Sequence, residues 1–342
     1  MSRTSSDVSI EPRSGTPSGS PLEPASQTTS GSPVEPAGQP SPSSPVDPGP
    51  GAPKVLYVMG AGRSGSSILG VALGNCDGVF YAGELDKWLP RSGRTPVPGE
   101  ERERFWEQVR EQVDADGVTG GRVRVLERSS QLLDPRRVRT RRTLRARYLE
   151  VAAQLFGAIA RTSGAARVVD SSHYPMRARE LQRLGDIELY LLLLVRDPES
   201  AVASLGREDV PERRYGVLAA NAYLWLTHVL ASWVFLRHPR ERRVFVRHEE
   251  FLAEPAVVVD RILRVTGSQA TLEDLTLATG VPFQANRLIR SPSVTLHGGA
   301  PASPPRSLLT RVLQLPWRLV FKRLESASPA VATEPGPQSA AG

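Results

Sequence analysis

Two polar segments of this chain have the residue types and the spacing that phosphate groups require. The first, GAGRSGSS (Gly60–Ser67), follows the apolar run Val55–Met59. It matches the pattern G-x-x-x-x-G-K-[ST] of a phosphate-binding loop at Gly60, Gly65 and Ser67. Backbone N–H groups of such a loop, at the N-terminus of a helix, bind phosphate oxygens.

The lysine position of the pattern determines which phosphate compound the loop suits. Ser66 stands where enzymes of nucleoside triphosphates have the Lys that contacts the β- and γ-phosphates, and Arg63 is the cation of this loop. The segment therefore indicates an anionic nucleotide other than ATP or GTP bound in the usual way.

The second segment, RDPESAVAS (Arg196–Ser204), follows the apolar run of Ile187–Val195. An unpaired guanidinium at the end of a buried strand is costly, so Arg196 needs an anion. Asp197 is one candidate, and a phosphate shared with the hydroxyl of Ser204, eight positions on, is the other. Since both segments follow predicted strands, we expect them to meet at the carboxyl edge of one sheet.

Several segments resemble sulfotransferases that use 3′-phosphoadenylyl sulfate (PAPS). GAGRSGSSIL resembles their 5′-phosphosulfate loop, and RDPESAVAS resembles their 3′-phosphate motif, with its Arg and the Ser eight positions on. VVDSSHYPMRARELQRL is similar to the D-S-S-K-x-P-x-R segment of bacterial members, with His173 in place of the Lys. VFVRHEEFLAEP resembles their RYEDL…P segment, and ANRLIR (Ala285–Arg290) weakly resembles a late Asn/Arg loop. The matches span Lys54–Arg290.

This resemblance implies PAPS as a co-substrate and no metal. Arg63, the loop amides and the loop hydroxyls are expected to meet the charge that develops as a sulfuryl group passes in line to an acceptor hydroxyl. The residues implied in nucleotide binding are Gly60, Gly62, Arg63, Ser64, Gly65, Ser66, Ser67, Arg196, Ser204 and Arg287.

The acceptor hydroxyl also needs a general base, for which Glu84 is the leading candidate. Glu84 follows Arg63 by 21 positions, and in tyrosylprotein sulfotransferases a catalytic Glu follows the loop Arg at a matching offset in a similar G-E segment. This chain departs from them in having Leu85 and Asp86 next, so Asp86 is an alternative base. A helix cap is the structural alternative for Glu84, and His297 is a further candidate base.

His173 is a candidate catalytic residue because related enzymes have a Lys there, near the transferring group. An imidazole donates from Nε2 only in the right tautomer or when protonated, so the resemblance implies a weaker or pH-dependent site. A polar residue at a strand end is the alternative.

The fold class predicted for residues 54–325 is α/β: a P-loop-containing three-layer fold with a central parallel sheet flanked by helices. Residues 1–53 and 326–342 are predicted to be disordered, because they are rich in Ser, Pro, Gly and Ala with few large apolar residues. The predicted strands are Val55–Met59, Arg167–Val169, Glu188–Val195 and Arg243–Val246. The predicted helices are Ser64–Asn75, Arg102–Val113, Leu144–Arg161, Pro175–Leu184, one after Pro198, Tyr215–Leu236, one starting within Arg247–Glu250, and Pro255–Thr266.

Composition limits the partners and the compartment. A single cysteine, Cys76, excludes an internal disulfide, and MSRTSSDVSI lacks the apolar core of a signal peptide, so we expect a cytoplasmic location. The net charge of +7 comes without nucleic-acid-binding motifs, so nucleic acid is not an expected partner. The C-terminal SLLTRVLQLPWRLVFKRL is amphipathic and basic, which fits either docking onto the domain or peripheral contact with a membrane.

The acceptor is expected to be a hydroxyl of a small molecule, carbohydrate or lipid, held by Glu84–Arg110, by the Arg-rich stretch after it, and by Arg207–Tyr215. Two other functions stay open at this point: a P-loop kinase or NTPase, and a non-catalytic nucleotide-binding member of the fold. The missing loop lysine and the 3′-phosphate-type motif disfavour the kinase, whereas His173 leaves the non-catalytic protein open.

Overall fold

The computed structural model describes residues 51–128, 137–206, 216–296 and 307–326. The predicted tails, apart from residues 51–53 and 326, lie outside these ranges, as do His297 and the predicted acceptor segment Arg207–Tyr215.

Seven strands and eleven α-helices form in the described ranges, together with short 3-10 helices. The strands are β1 (Lys54–Gly60), β2 (Val79–Gly83), β3 (Arg167–His173), β4 (Glu188–Val195), β5 (Arg243–Arg247), β6 (Thr276–Ala278) and β7 (Ser293–Thr295). The helices are α1 (Ser66–Gly74), α2 (Glu100–Glu111), α3 (Arg124–Glu127), α4 (Arg137–Ser163), α5 (Pro175–Leu181), α6 (Pro198–Leu205), α7 (Val217–Leu236), α8 (His248–Ala253), α9 (Pro255–Val265), α10 (Leu308–Leu313) and α11 (Leu315–Ser326).

The predicted α/β class is confirmed, since five parallel strands form one sheet in the order β2-β3-β1-β4-β5. A separate antiparallel pair, β6 and β7, lies outside this sheet. In the main sheet, β1 is central and pairs with β4 on one side and β3 on the other. The carboxyl ends of β1, β3 and β4 are therefore neighbours, which brings the predicted loops to one edge.

Two hydrophobic cores sandwich the sheet, because alternate residues of each buried strand point to opposite faces. On one face Tyr57 of β1 and Leu191 of β4 pack with residues of α4, α5 and α7. On the other face Val58 and Leu192 pack with residues of α1, α8 and α9. This arrangement is the expected three-layer fold.

Some element boundaries differ from the sequence-based prediction for identifiable reasons. Helix α1 begins at Ser66 rather than Ser64, because Gly65 adopts a left-handed conformation (φ = +93°) that ends the loop. Strand β2 was not predicted, since it is short and ends at Gly83. Strand β3 continues to His173 because its polar residues are buried and hydrogen-bonded within the protein.

One helix of the described residues is long and apolar enough, by length and composition, to cross a membrane: α7, with a mean hydropathy of 1.3 over its most apolar window. That window is 44% buried inside the fold.

Candidate functional site

The loop between β1 and α1 depends on its glycines because its backbone packs against neighbouring elements. A Cβ on Gly60 would lie 2.3 Å from the carbonyl oxygen of Leu194 in β4, and one on Gly65 would lie 2.4 Å from Nδ1 of His248. Neither contact leaves room for a side chain. The hydroxyl of Ser64 closes the turn by donating to the carbonyl of Ala61 at 2.6 Å.

Helix α1 points its N-terminus at this loop. Ser66 and Ser67 form its first turn, and the N–H groups of a first turn have no acceptor within the helix. Together with the helix dipole they favour an anion at this position.

Arg63 connects the two predicted nucleotide segments. It has a positive φ of +72°, a conformation that costs a non-glycine residue roughly 1–3 kcal/mol and is concentrated at functional sites. Its Nε donates to Oγ of Ser204 in α6 at 3.1 Å. Arg196, at the end of β4, donates from Nη1 to the carbonyl oxygen of Arg63 at 3.1 Å. The structure thus brings Arg63, Arg196 and Ser204 together.

Asp197, the alternative partner of Arg196, also has a capping role. Its carboxylate caps α6 by accepting from the N–H groups of Glu199 and Ser200 at 3.0 and 3.1 Å. Its own N–H donates to the carboxylate of Glu249 at 2.9 Å.

Two residues that sequence analysis did not single out, Tyr223 and His248, also contact the loop. The N–H of Gly62 donates to the hydroxyl of Tyr223 in α7 at 2.8 Å. The ring of His248, the first residue of α8, lies against Gly65, where burial and the charge of Arg196 lower its pKa to about 4. The segment RHEE predicts only the start of a helix, and α8 does begin there. Its position directly after a strand was the available signal for His248.

The late Asn/Arg loop also reaches α1. The N–H of Asn286 donates to Oγ of Ser67 at 3.4 Å. The predicted nucleotide residue Arg287 follows and lines a cavity of about 520 Å³ with three further arginines. These are Arg91, Arg102 and Arg290. Part of the predicted acceptor segment Glu84–Arg110 therefore faces this cavity.

Glu84 directly follows β2. Its N–H donates to the carbonyl of Gln284 at 2.6 Å, and the left-handed Gly83 (φ = +82°) makes the turn before it. Burial, then the charges of Asp86 and Asp170, raise the pKa of Glu84 to about 7, with Lys87 opposing them. The Glu84 side chain makes no capping hydrogen bond to the 3-10 turn that follows, so the helix-cap alternative lacks its contact.

Asp86, the alternative base, is engaged with Lys87. Its Oδ2 lies 2.6 Å from Nζ of Lys87, and its N–H donates to Oγ of Ser172 at 2.9 Å. Lys87 Nζ is also 3.9 Å from Oε2 of Glu84 and 5.7 Å from the ring centre of Tyr174. Burial lowers the pKa of Lys87, but the neighbouring acidic groups outweigh it and the net shift is upward. Lys87 therefore stays cationic.

His173 ends β3 in a three-residue turn, in which the N–H of Tyr174 donates to the carbonyl of Ser172 at 2.8 Å. Its φ of +58° is a second strained conformation at the site. Nε2 of His173 lies 3.9 Å from the position of a Cβ on Gly62, so the ring faces the loop. Burial lowers the pKa of His173 to about 4, which makes the imidazole neutral near pH 7. Lys87 supplies a cation on this side of the loop, and sequence analysis did not single it out although lysine is rare in this chain.

A buried ionic network supports the acidic side. Arg177 of α5 donates from Nη2 to Asp170 at 3.0 Å and from Nη1 to Glu127 at 2.6 Å. Asp170 in turn accepts the N–H of Ser172 at 2.9 Å and also its hydroxyl. Because Ser172 accepts the N–H of Asp86, the network fixes the backbone that carries Glu84 and Asp86.

The candidate site therefore has two sides. Arg63, Arg196 and Ser204 form a candidate phosphate-binding side, whereas Glu84, Asp86, Lys87 and His173 form a candidate acid–base side, whose His173 ring faces Gly62. No group of three or more His, Cys, Asp and Glu that could hold a metal ion occurs in the described ranges.

No protein-family model and no curated protein sequence matches this chain. Solved structures with a similar fold include several sulfotransferases. They include the sulfotransferase domain from the curacin biosynthetic pathway (14% identity, 78% of this chain and 98% of that one, TM-score 0.48). They also include the sulfotransferase domain from the Synechococcus PCC 7002 olefin synthase (16% identity, 80% of this chain and 96% of that one, TM-score 0.44). A third is a sulfotransferase from Alicyclobacillus acidocaldarius (14% identity, 80% of this chain and 95% of that one, TM-score 0.39). These are likenesses of fold, and the activity has to be argued from the site residues of this chain.

Proposed function

We propose that this protein is a sulfotransferase that moves a sulfuryl group from PAPS to a hydroxyl of a small molecule, carbohydrate or lipid in the cytoplasm. The observation that supports it best is the convergence at one loop. A phosphate-binding loop without its lysine carries Arg63, which contacts Ser204, and Arg196 contacts the loop backbone. Glu84, a carboxylate with a pKa near neutrality, lies 3.9 Å from Lys87, whose charge acts on the His173 ring that faces the loop.

The donors at the site fit a nucleotide with phosphates at both ends of its ribose. Arg196 and Ser204 would hold the 3′-phosphate, since a guanidinium and a hydroxyl can share one phosphate group. The N–H groups at the start of α1, with Ser66 and Ser67, would hold the 5′-phosphosulfate. Arg287 would contact the same nucleotide from the late loop.

The chemistry follows from which residue holds which proton. PAPS, when bound, supplies a sulfuryl group on a phosphate leaving group. Glu84 removes the proton of the acceptor hydroxyl, and its pKa of about 7 leaves a large fraction of it ionised at neutral pH. Lys87 and the loop amides meet developing negative charge, and neutral His173 donates a hydrogen bond in one tautomer.

Two alternative functions would use the same loop differently. A P-loop kinase or NTPase would bind ATP at the loop and have no need of Arg196 and Ser204. A non-catalytic member of the fold would bind the nucleotide without transferring sulfate.

The decisive experiment compares 3′-phosphoadenosine 5′-phosphate with 5′-AMP by calorimetry. We expect much tighter binding of the bisphosphate, because lost charged hydrogen bonds cost about 1.5–3 kcal/mol each. Arg196→Gln and Ser204→Ala should each reduce the difference in affinity between the two nucleotides. Arg104→Gln, which breaks an exposed surface ion pair, should leave that difference unchanged. Equal affinity for the two nucleotides, or preference for ATP, would contradict the proposal.

Transfer of radiolabelled sulfate from PAPS to a panel of phenols, sugars and hydroxylated lipids separates the enzyme from a non-catalytic binder. We expect labelled product from at least one acceptor class, formed roughly 100-fold or more slowly with Glu84→Gln. Tight bisphosphate binding without any transfer would favour the non-catalytic alternative.

A further inference from the structure

The outward face of α7 is apolar along its whole length. Helix Val217–Leu236 contains no Asp, Glu, Lys or Arg, and Leu218 is 67% exposed although it lies on a helix of the domain. The exposed large side chains of this helix are Val217, Leu218, Trp225, Leu226, Val229 and Leu236. Soluble proteins rarely expose large continuous apolar patches without a partner for them.

Helices α10 and α11 extend this face. The indole N–H of Trp225 donates to the carbonyl of Leu313 at 2.9 Å, and its ring meets that of Trp317 at 5.2 Å. Asn221 donates to Oγ1 of Thr310 at 3.2 Å, which holds α10 beside α7. The exposed large apolar residues of these two helices are Leu308, Leu309, Val312, Leu315 and Leu319. We call these residues, with the exposed ones of α7, the α7–α11 apolar surface.

Basic side chains border the α7–α11 apolar surface. Lys322 and Arg323 are exposed on α11, and Arg311 is exposed on α10, with its Nε 3.7 Å from a carboxylate oxygen of Glu199. At the carboxyl end of α7 the guanidinium of Arg237 lies 4.7 Å from the ring centre of Trp233. Exposed apolar side chains bordered by Lys and Arg, with a tryptophan between them, are typical of helices that lie in the interface of an anionic membrane.

The charges also distinguish between possible occupants. A second copy of this chain would place one basic border against another, which costs free energy. A spanning arrangement of α7 conflicts with the 44% of its apolar window that is buried in the fold. A lipid surface with negative headgroups satisfies both the apolar face and its border.

We propose that the α7–α11 apolar surface docks on an anionic lipid surface, with its apolar side chains at the acyl boundary and its basic border at the headgroups. The inference is independent of the proposed activity. Tyr223 on α7 contacts the phosphate-binding loop, so docking would hold the candidate site close to the lipid.

Vesicle co-sedimentation with the full chain tests the proposal. We expect binding to phosphatidylcholine vesicles that contain phosphatidylglycerol, weaker binding to phosphatidylcholine alone, and loss of binding at high salt. The double variants Leu226→Gln/Val229→Gln and Val312→Gln/Leu319→Gln should each lower partitioning by about tenfold or more, because apolar area no longer enters the lipid.

Control variants separate docking through this surface from nonspecific hydrophobic adsorption to the vesicles. Val257→Gln changes an apolar residue on α9 that is 57% exposed, and it should bind vesicles like the unaltered chain. Lys322→Gln/Arg323→Gln should weaken binding to the anionic vesicles only. The altered residues are exposed, so the variants should keep the melting temperature.

The proposal is overturned if the full chain does not bind anionic vesicles. This result is expected if another segment of the chain covers the α7–α11 apolar surface. The proposal is also overturned if the α7 and α10–α11 variants bind as well as the control, or if they instead abolish a dimer seen by light scattering without lipid.

Discussion

The basicity of Glu84 comes from its surroundings rather than from its residue type. The side chain is 19% exposed and lies near Asp86 and Asp170, and both burial and like charge disfavour its ionised form. Lys87 limits the shift. A pKa of about 7 suits a general base at neutral pH, whereas an ordinary glutamate is too weak.

Replacement of Glu84 by Gln is predicted to lower single-turnover sulfate transfer by roughly 100-fold or more while nucleotide affinity is kept. The folded carboxyl keeps its proton up to about pH 7, whereas an unfolded one loses it near pH 4.5, so ionisation destabilises the fold as pH rises between these values. The variant lacks this penalty. Urea unfolding should therefore show it to be at least as stable as the unaltered chain at pH 8. A loss of stability with intact turnover would instead mean a structural role.

Asp86 and Lys87 are predicted to move the pH profile of turnover in opposite directions. Asp86→Asn removes a negative charge beside Glu84 and should lower its apparent pKa, so activity persists to lower pH. Lys87→Met removes the opposing positive charge and should raise that pKa. The measurement is kcat/KM from pH 5.5 to 8.5. If Asp86→Asn abolishes transfer at every pH while Glu84→Gln remains active, Asp86 is the base.

At the scale of elements, β3 positions the acid–base side. Its carboxyl half reads Asp170, Ser171, Ser172, and all three are buried in the strand. The side chains of Asp170 and Ser172 connect Arg177 of α5 to the turn that carries Asp86, so a strand, a helix and a turn share one hydrogen-bonded unit. Its rigidity holds the carboxylates of the site in place.

Arg177→Met is predicted to lower the free energy of unfolding by about 3–5 kcal/mol, because it leaves the buried carboxylates of Asp170 and Glu127 without their cation. The matched control is Arg104→Met, which breaks an exposed pair with Glu100 and should change stability by no more than about 0.5 kcal/mol. Chemical denaturation of both variants makes the comparison. Equal effects would show that the network does not contribute to stability.

At the scale of the whole molecule, His228 joins α7 to the C-terminal helix. Its ring lies 5.3 Å from that of Trp317 and 4.9 Å from that of Phe321 in α11. Burial alone lowers its pKa to about 4, so the fold accepts it only as the neutral form.

His228→Phe is therefore predicted to make stability less sensitive to acid. An unfolded histidine binds a proton near pH 6.5, whereas the folded one does so only near pH 4, so this group destabilises the fold progressively as pH falls between the two. Phenylalanine keeps the ring contacts without the proton. Free energies of unfolding measured at pH 8, 6 and 5 should show that the stability of the variant relative to the unaltered chain increases at each lower pH. A constant difference would mean that His228 does not titrate in this range.

The sequence by itself determined the fold class and the proximity of Arg63, Arg196 and Ser204. Apolar strands followed by glycine and hydroxyl residues encode strand–loop–helix units locally, and parallel strands bring their carboxyl ends together by geometry. That is why Arg63, Arg196 and Ser204 could be placed near one another from their spacing alone.

Only the tertiary structure decided the acid–base side and the surroundings of the loop. Lys87, Tyr223 and His248 reach the site from three elements that are distant in the chain. The position of His248 directly after a strand is a local signal, but it does not by itself predict the contact with Gly65. The pKa of Glu84 near 7 and the neutral state of His173 likewise follow from burial and neighbouring charge, which are properties of the packed chain and not of any segment.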